Sequence, residues 1–194
     1  RRSLNLMGLE WANRGINLWL VEEGSVTLAT GTATYTLPTD TIDLLEHTLR
    51  TNNGTTSQTD TSLVRMSVST YSQITNKLTS GQPTQIYIDR QRDAPTVTLW
   101  PVPSSTYNGD FVRYFRLRRI QDTGAKSSND VDIPARFLPC MVAGLAYYIA
   151  LKKPEAVQRI PTLKAIYEEQ FDLAAEEDRE KASLTFTPLS DYYS

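Results

Sequence analysis

One cysteine and one histidine among 194 residues exclude several chemistries at once. A lone Cys closes no disulfide within the chain, and with a lone His it cannot assemble the tetrahedral Cys/His set of a zinc site. A framework without disulfides fits synthesis in a reducing cytoplasm. Neither sign of charge is in surplus, since 20 Lys plus Arg stand against 22 Asp plus Glu for a net charge of −2. A dedicated nucleic-acid binder uses excess cations to displace counterions from phosphates, so that class is disfavoured, whereas a lumen through which DNA merely passes is not. No run of about 18 apolar residues is present to span a bilayer, and no glycine-rich phosphate loop occurs. The chain opens on Arg1 rather than Met, which is compatible with residues upstream or a removed leader.

What the chain has in abundance is threonine, placed unevenly. Of 24 Thr, 20 fall between Thr27 and Thr106, where they alternate with Val, Leu, Ile and Tyr. Period-two alternation marks half-buried strands. On either side the apolar spacing changes to three and four residues, from Leu4 to Trp11 and from Ile133 to Ala182, which is helical. The order helix, strands, helices predicts an α+β fold. Both chain ends (1–24 and 133–183) are expected to build one helical bundle, with a β-rich lobe (25–132), a small antiparallel sandwich or half-open barrel, inserted between them. Residues 184–194 are expected to form an extended tail.

Individual elements follow from local chemistry. A first helix is predicted from Ser3 as N-cap to Gly15 as its stop. Residues 25–30 and 33–37, separated by Gly31-Thr32, read as a hairpin with a two-residue turn. Further strands are predicted at 42–50, 62–69, 84–89, 95–101 and 110–117, with a short helical turn at 71–77. The stretch 52–60 (NNGTTSQTD) has no apolar anchor and reads as a mobile surface loop. The helix 133–152 is apolar over most of its circumference. Phe137, Met141, Leu145 and Tyr148 form one stripe, Leu138, Val142, Ala146 and Ile149 the next, which predicts the buried centre of the bundle. A last helix over 162–182 is amphipathic with an acidic outside. Leu4, Met7, Trp11, Met141, Leu145, Ile166 and Phe171 are the predicted bundle core.

Few residues carry chemistry. His47 sits in a strand-like run without a Ser or Cys motif beside it, and Cys140 lies on an apolar helix between Pro139 and Met141. His47 reads as a satisfied or solvent-facing strand histidine and Cys140 as a packed small hydrophobe, neither as a catalytic residue. Glu176-Glu177-Asp178 points in three directions on a helix and has no second ligand set, so no metal site is predicted. Asp130 and Asp132 read as acids at the start of a helix. No catalytic residue and no cofactor is expected. Arg113, Arg116, Arg118 and Arg119, with Tyr114 and Phe115 among them, form a basic and aromatic cluster. Strand alternation splits it, with Tyr114, Arg116 and Arg118 on one face and Arg113 with Phe115 on the other.

Three segments together resemble a known family. They are EWANRGINLWLVEEGSVTLATGTATYTLP (Glu10 to Pro38), GQPTQIYIDRQ followed by TVTLWPVP (Gly81 to Pro103), and DIPARFLPCMVAGLAYYIALKKPE with IYEEQFDLAAEEDREKAS (Asp132 to Ser183). The chain resembles the head-to-tail adaptor, or connector, proteins of short-tailed bacteriophages, of the tail tubular protein A-like kind. That resemblance implies a structural virion protein, made in the host cytoplasm, with no membrane association. It further implies a homo-oligomeric ring, a dodecamer, between the portal protein and the tail nozzle or hub, through whose lumen DNA passes without sequence-specific binding. Ring closure needs two unlike surfaces per subunit, and the chain offers Arg113, Arg116, Arg118 and Arg119 on one side and Glu176 and Glu177 on the other. The C-terminal segment is expected to reach the portal through Phe186, Pro188, Leu189, Tyr192 and Tyr193, which are too apolar to hang free. Asn52, Asn53 and Gly54 are expected to face a tail protein.

A second reading, from a different class, is a nucleic-acid- or carbohydrate-binding β-module with a helical appendage. It draws on Trp11, Trp19, Trp100 and the arginine cluster.

Overall fold

A computed structural model of the chain describes residues 2–14, 18–121 and 131–177. They divide into two compact units, one of Arg1–Met7 with Ile133–Ser194, the other of Gly8–Asp132. Residues 8–24, expected with the helices, group with the sheets. For residues 21–24 the reason is that they already form a strand, whereas the sequence pattern placed the first strand at 25.

In the sheet unit, β1 (Val21–Thr27), β3 (Thr41–Thr51), β4 (Thr59–Ser62) and β10 (Phe111–Arg118) form an antiparallel sheet in the order β1-β10-β3-β4. A second sheet has the order β2-β8-β7-β5, from β2 (Thr34–Thr36), β5 (Val64–Met66), β7 (Gln85–Asp89) and β8 (Thr96–Trp100), in which β5 and β7 run parallel. Between them in sequence lie a short helix, α2 (Val68–Gln73), and a two-residue parallel bridge of β6 (Ser80–Gly81) with β9 (Val102–Pro103). Leu28, Leu44, Leu49, Val112 and Tyr114 meet Leu37, Ile86, Ile88, Val97 and Leu99 in one core. The β lobe is therefore a two-sheet sandwich rather than a barrel, and the α+β class holds.

Two features of this unit differ from the sequence reading. The runs on either side of Gly31-Thr32 do not pair with each other, because β1 pairs with β10 and β2 with β8. The turn is a corner between sheets. Gly31 supplies the left-handed backbone at φ +75° and donates its N–H to Pro103 O at 3.0 Å, while Tyr35 Oη accepts from Ala29 N at 3.0 Å and donates to Thr32 O at 2.8 Å. The loop 52–60 is also more structured than an unanchored excursion. It is the tip of the β3–β4 hairpin, with Asn52 N donating to Asp110 Oδ1 at 3.2 Å and Gly54 N to Gln58 Oε1 at 3.1 Å.

Strand β3 does not keep a strict two-residue period. Its register against β10 slips twice, where Phe115 faces Glu46 but Arg116 faces Leu44, and where Leu117 faces Asp43 but Arg118 faces Thr41. Leu45 and Ile42 are the extra residues of two bulges and lie exposed, so Thr41, Leu44, His47 and Leu49 all face inward.

In the helical unit, α3 (Leu138–Ala150) packs on α4 (Ile160–Glu177), and the start of α1 (Arg2–Asn13) joins them. Phe137, Cys140, Ala150, Tyr167, Phe171 and Ala174 are buried. Gly144 makes the packing of α3 possible, because a Cβ there would lie 2.6 Å from Met7 Sδ and 2.7 Å from Tyr167 Cε2. Ser3 is not an N-cap. It sits inside α1, buried, and accepts a hydrogen bond from Lys152 Nζ at 2.7 Å. Of the predicted bundle core, Met7, Trp11 and Phe171 are buried, Leu4, Met141 and Leu145 half-buried, and Ile166 exposed. Trp11 belongs to the part of α1 that groups with the sheets. The predicted helix stop at Gly15 and the turn of helix after Glu177 lie outside the described residues.

Candidate functional site

The arginine cluster is built by β10. Its alternation turns Val112, Tyr114, Arg116 and Arg118 inward and leaves Arg113 and Phe115 outward, as the pattern predicted. Near the middle of the strand the inward face is apolar, and Tyr114 lies across Gly24 on β1 and His47 on β3. Toward its end the same face becomes ionic. Arg116 donates from Nη1 to Asp40 Oδ1 at 2.5 Å and Thr41 Oγ1 at 3.1 Å, and from Nη2 to Glu22 Oε2 at 2.7 Å. Arg118 donates from Nε to the other Glu22 oxygen at 2.6 Å and grips Asp132 through both Nη atoms, at 2.5 and 3.0 Å.

Electrostatics follow from that geometry. Burial alone would raise the Asp40 carboxyl, but the hydrogen bond and charge of Arg116 outweigh it and hold the group below the ordinary carboxylate value. The Arg118 hydrogen bond does the same for Asp132, against a smaller opposing effect of burial. Arg118 itself is held more firmly protonated by Asp132 and Glu22. Asp132 also accepts from Gln121 N at 2.9 Å, and its carbonyl accepts from Trp19 Nε1 at 3.2 Å. It is thus an anchor of the sheet unit and not the helix-start acid expected from sequence.

Arg116 and Arg118, offered by the sequence as inter-subunit contacts, are therefore turned into their own unit. They are buried, and their donors are taken by Glu22, Asp40 and Asp132. Alternation revealed that the cluster splits. It gave no sign of the acids, which come from distant parts of the sequence. Arg119 is exposed and donates to Thr39 O at 2.8 Å.

On the outward face, Arg113 pairs with Glu23, and Arg50 pairs with Asp60 through two hydrogen bonds of 2.7 and 2.5 Å. Between these pairs and the half-exposed Phe115 is a hollow of about 180 Å³, also bordered by Glu46 and Thr48. That is below the roughly 300–1,000 Å³ of small-molecule pockets. His47 and Tyr114 also line this hollow. The His47 ring is buried among core residues, neither nitrogen has a hydrogen-bond partner, and burial lowers its pKa from the ordinary value of 6.5, helped by the charge of Arg65. Nothing there activates a nucleophile. Among the described residues no group of three or more His, Cys, Asp or Glu is placed to hold a metal ion, and no helix is long and apolar enough to cross a membrane.

The feature the sequence reading misjudged lies on α3. With about 3.6 residues per turn, Phe137, Cys140 and Gly144 face α4, while Leu138, Val142, Ala146 and Ile149 project from the opposite side. This stripe, expected at the buried centre of a bundle, is exposed. Periodicity shows that a helix is apolar all round, but not whether its own chain covers it. Glu176 is exposed on α4, whereas the Glu177 side chain and the segment with Phe186, Pro188, Leu189, Tyr192 and Tyr193 lie outside the described residues. Asn52, Asn53 and Gly54 occupy the exposed tip of the β3–β4 hairpin.

A site poor in chemistry and rich in uncovered apolar surface suits contact with other proteins. The family model described as SU10 adaptor protein matches residues 1–190. The chain belongs to the SU10 adaptor protein family. No curated protein matches it. The adaptor is thus a structural protein of a bacteriophage, a component of the virion that interacts with other head and tail proteins. Family membership suggests a structural rather than an enzymatic role.

Proposed function

We propose that this adaptor is one subunit of a closed ring, a dodecamer of the tail tubular protein A-like kind. The ring is seated between the portal vertex and the tail nozzle or hub, and the genome passes through it at ejection. The observation that carries the reading is the α3 face, an exposed apolar stripe on a helix without a single charged residue from Leu138 to Ala150. Such a surface is built to be covered by protein. The near balance of charge supports a conduit, because a strongly cationic lumen would hold DNA instead of letting it slide.

In this reading the C-terminal segment carries the portal contact through Phe186, Pro188, Leu189, Tyr192 and Tyr193, and the hairpin tip at Asn52, Asn53 and Gly54 faces the tail. Of the arginine cluster, Arg119, which is exposed, and Arg113, which also pairs with Glu23, are the members that could reach acids of a neighbour such as Glu177. The ring assembles after synthesis in the host cytoplasm and needs no cofactor. The test is electron microscopy of particles made without this chain. Filled heads lacking tails are expected, with tails restored when the purified chain and the tail proteins are added back. Complete, infectious tails on particles devoid of the chain overturn the reading.

A further inference from the structure

Beside the separately exposed Leu6, Leu151 and Val157, the helical unit exposes two unlike apolar lines. On α3, Leu138, Val142 and Ile149 are 43, 65 and 47 % exposed. On α4, Ile166 and Leu173, two turns apart, are 44 and 54 % exposed, to one side of the Tyr167–Phe171–Ala174 face that packs on α3. Single exposed leucines are ordinary; two separate lines on one small helical unit are not. Their charged surroundings differ in sign. The α3 line is bracketed by basic residues, Arg136 before it and Lys153 after it, Lys152 being turned to Ser3 Oγ, whereas Glu169, Asp172 and Glu176 lie along α4 beside its line.

We propose that the α3 line of one copy is covered by the α4 line of a second copy, so that this contact is the seam between neighbouring subunits. The inference rests on the ring reading and specifies which surfaces close the ring. Three observations single out a second copy as occupant. A partner of another kind, seated once, leaves one of the two lines open, whereas head-to-tail self-association covers both on every subunit. The basic ends of α3 meet acids of α4, which orients the contact and discourages α3 from meeting α3. Nucleic acid is a poor occupant, since the α3 stripe offers no cation along its length.

The seam is tested in the phage's own particles. The chain is altered to Val142→Cys and Leu173→Cys together, in a Cys140→Ala background, and purified virions are treated with a short bis-maleimide. A ladder of covalent multimers of this chain is expected, and neither single-cysteine chain should give one. A dimer from V142C alone means that like meets like and overturns the proposal, as does an adduct between V142C and a different virion protein. A ring seen by electron microscopy with no ladder also overturns it and leaves the ring reading standing. Particles with a normal amount of the chain but no ring density sink the ring reading itself. Should the cysteine chains fail to enter particles, charge exchange decides. V142E and L173K each lower incorporation at least tenfold, and combining them restores it. No restoration overturns the seam.

Discussion

Replacing Gly24 by Ala should destabilise the protein, against the usual sign. In an extended strand this change ordinarily stabilises by roughly 0.5–1 kcal/mol, because it removes freedom from the unfolded chain. At Gly24 a Cβ would lie 2.5 Å from Tyr114 Cε2, 2.7 Å from Cζ and 2.8 Å from Oη. Carbon atoms prefer about 3.5–4.0 Å, so the ring must retreat by about one ångström. It has little room, because Tyr114 is buried in the shared core and sits on the central strand between Gly24 and His47. Overpacking of this kind costs about 1–3 kcal/mol, and contacts as short as 2.5 Å in a closed core belong to the upper half of that range, about 2–3 kcal/mol, which leaves a net loss of about 1–2 kcal/mol. For a chain of this length, that lowers Tm by roughly 2–8 °C. Thermal and urea melts of wild type, Gly24→Ala, Tyr114→Leu and the double variant form a cycle that isolates the contact. The double variant should recover at least about 1 kcal/mol relative to the sum of the singles. A higher Tm for Gly24→Ala, or additivity within about 0.3 kcal/mol, refutes the close approach of ring to backbone.

Three further outcomes are expected. Phe171→Ala should cost about 3–5 kcal/mol in urea unfolding, since the ring is buried against Tyr167; a loss below about 1 kcal/mol contradicts that packing. Stability should fall on acidification in two stages. His47 has a folded pKa below 6.5, so its contribution is present above pH 6.5 and is lost as pH drops below it. Asp40 and Asp132 are held below 3.8, so theirs persists to lower pH and is lost as pH falls from about 3.8 through their folded values. His47→Leu should flatten the upper stage alone, and an unchanged slope between pH 7 and about 5 rejects the assignment. Removing residues 185–194 should weaken docking on purified portal at least tenfold in a binding assay, and undiminished docking transfers the portal contact elsewhere.

Much of the architecture was legible because it depends on local pattern. Strands β3, β7, β8 and β10 lie within a residue or two of the alternating runs that predicted them, and α3 and α4 follow the helical spacing. What escaped depends on partners. The alternation on either side of Gly31 is real, but alternation does not say which strand lies alongside, and here each run found a mate far away in sequence. Strand β4 is Thr-Asp-Thr-Ser, fully exposed, and exists only because Thr48–Thr51 offers it backbone groups to pair with. The two bulges in β3 that turn His47 inward leave no compositional trace. At the candidate site the same limit applied twice. The division of the arginines between two faces was readable, their acids were not, and the apolar circumference of α3 concealed that one of its sides is exposed.

The pairing of β1 with β10, and of Met7 with Gly144, also governs how the protein comes off the ribosome. The helical unit draws on both ends of the chain, and the sheet unit, although continuous from Gly8 to Asp132, pairs its first strand with its last. The hairpin of β3 and β4 can form early, but the sheet's opposite edge stays open until residue 118 has emerged, and the first turns of α1 wait for α3. Closing such distant contacts is slow, and the apolar surfaces stay open to aggregation meanwhile. Expression of N-terminal fragments that stop before β10 should therefore yield insoluble material, and chaperone supply rather than message level should limit the soluble yield of the full chain.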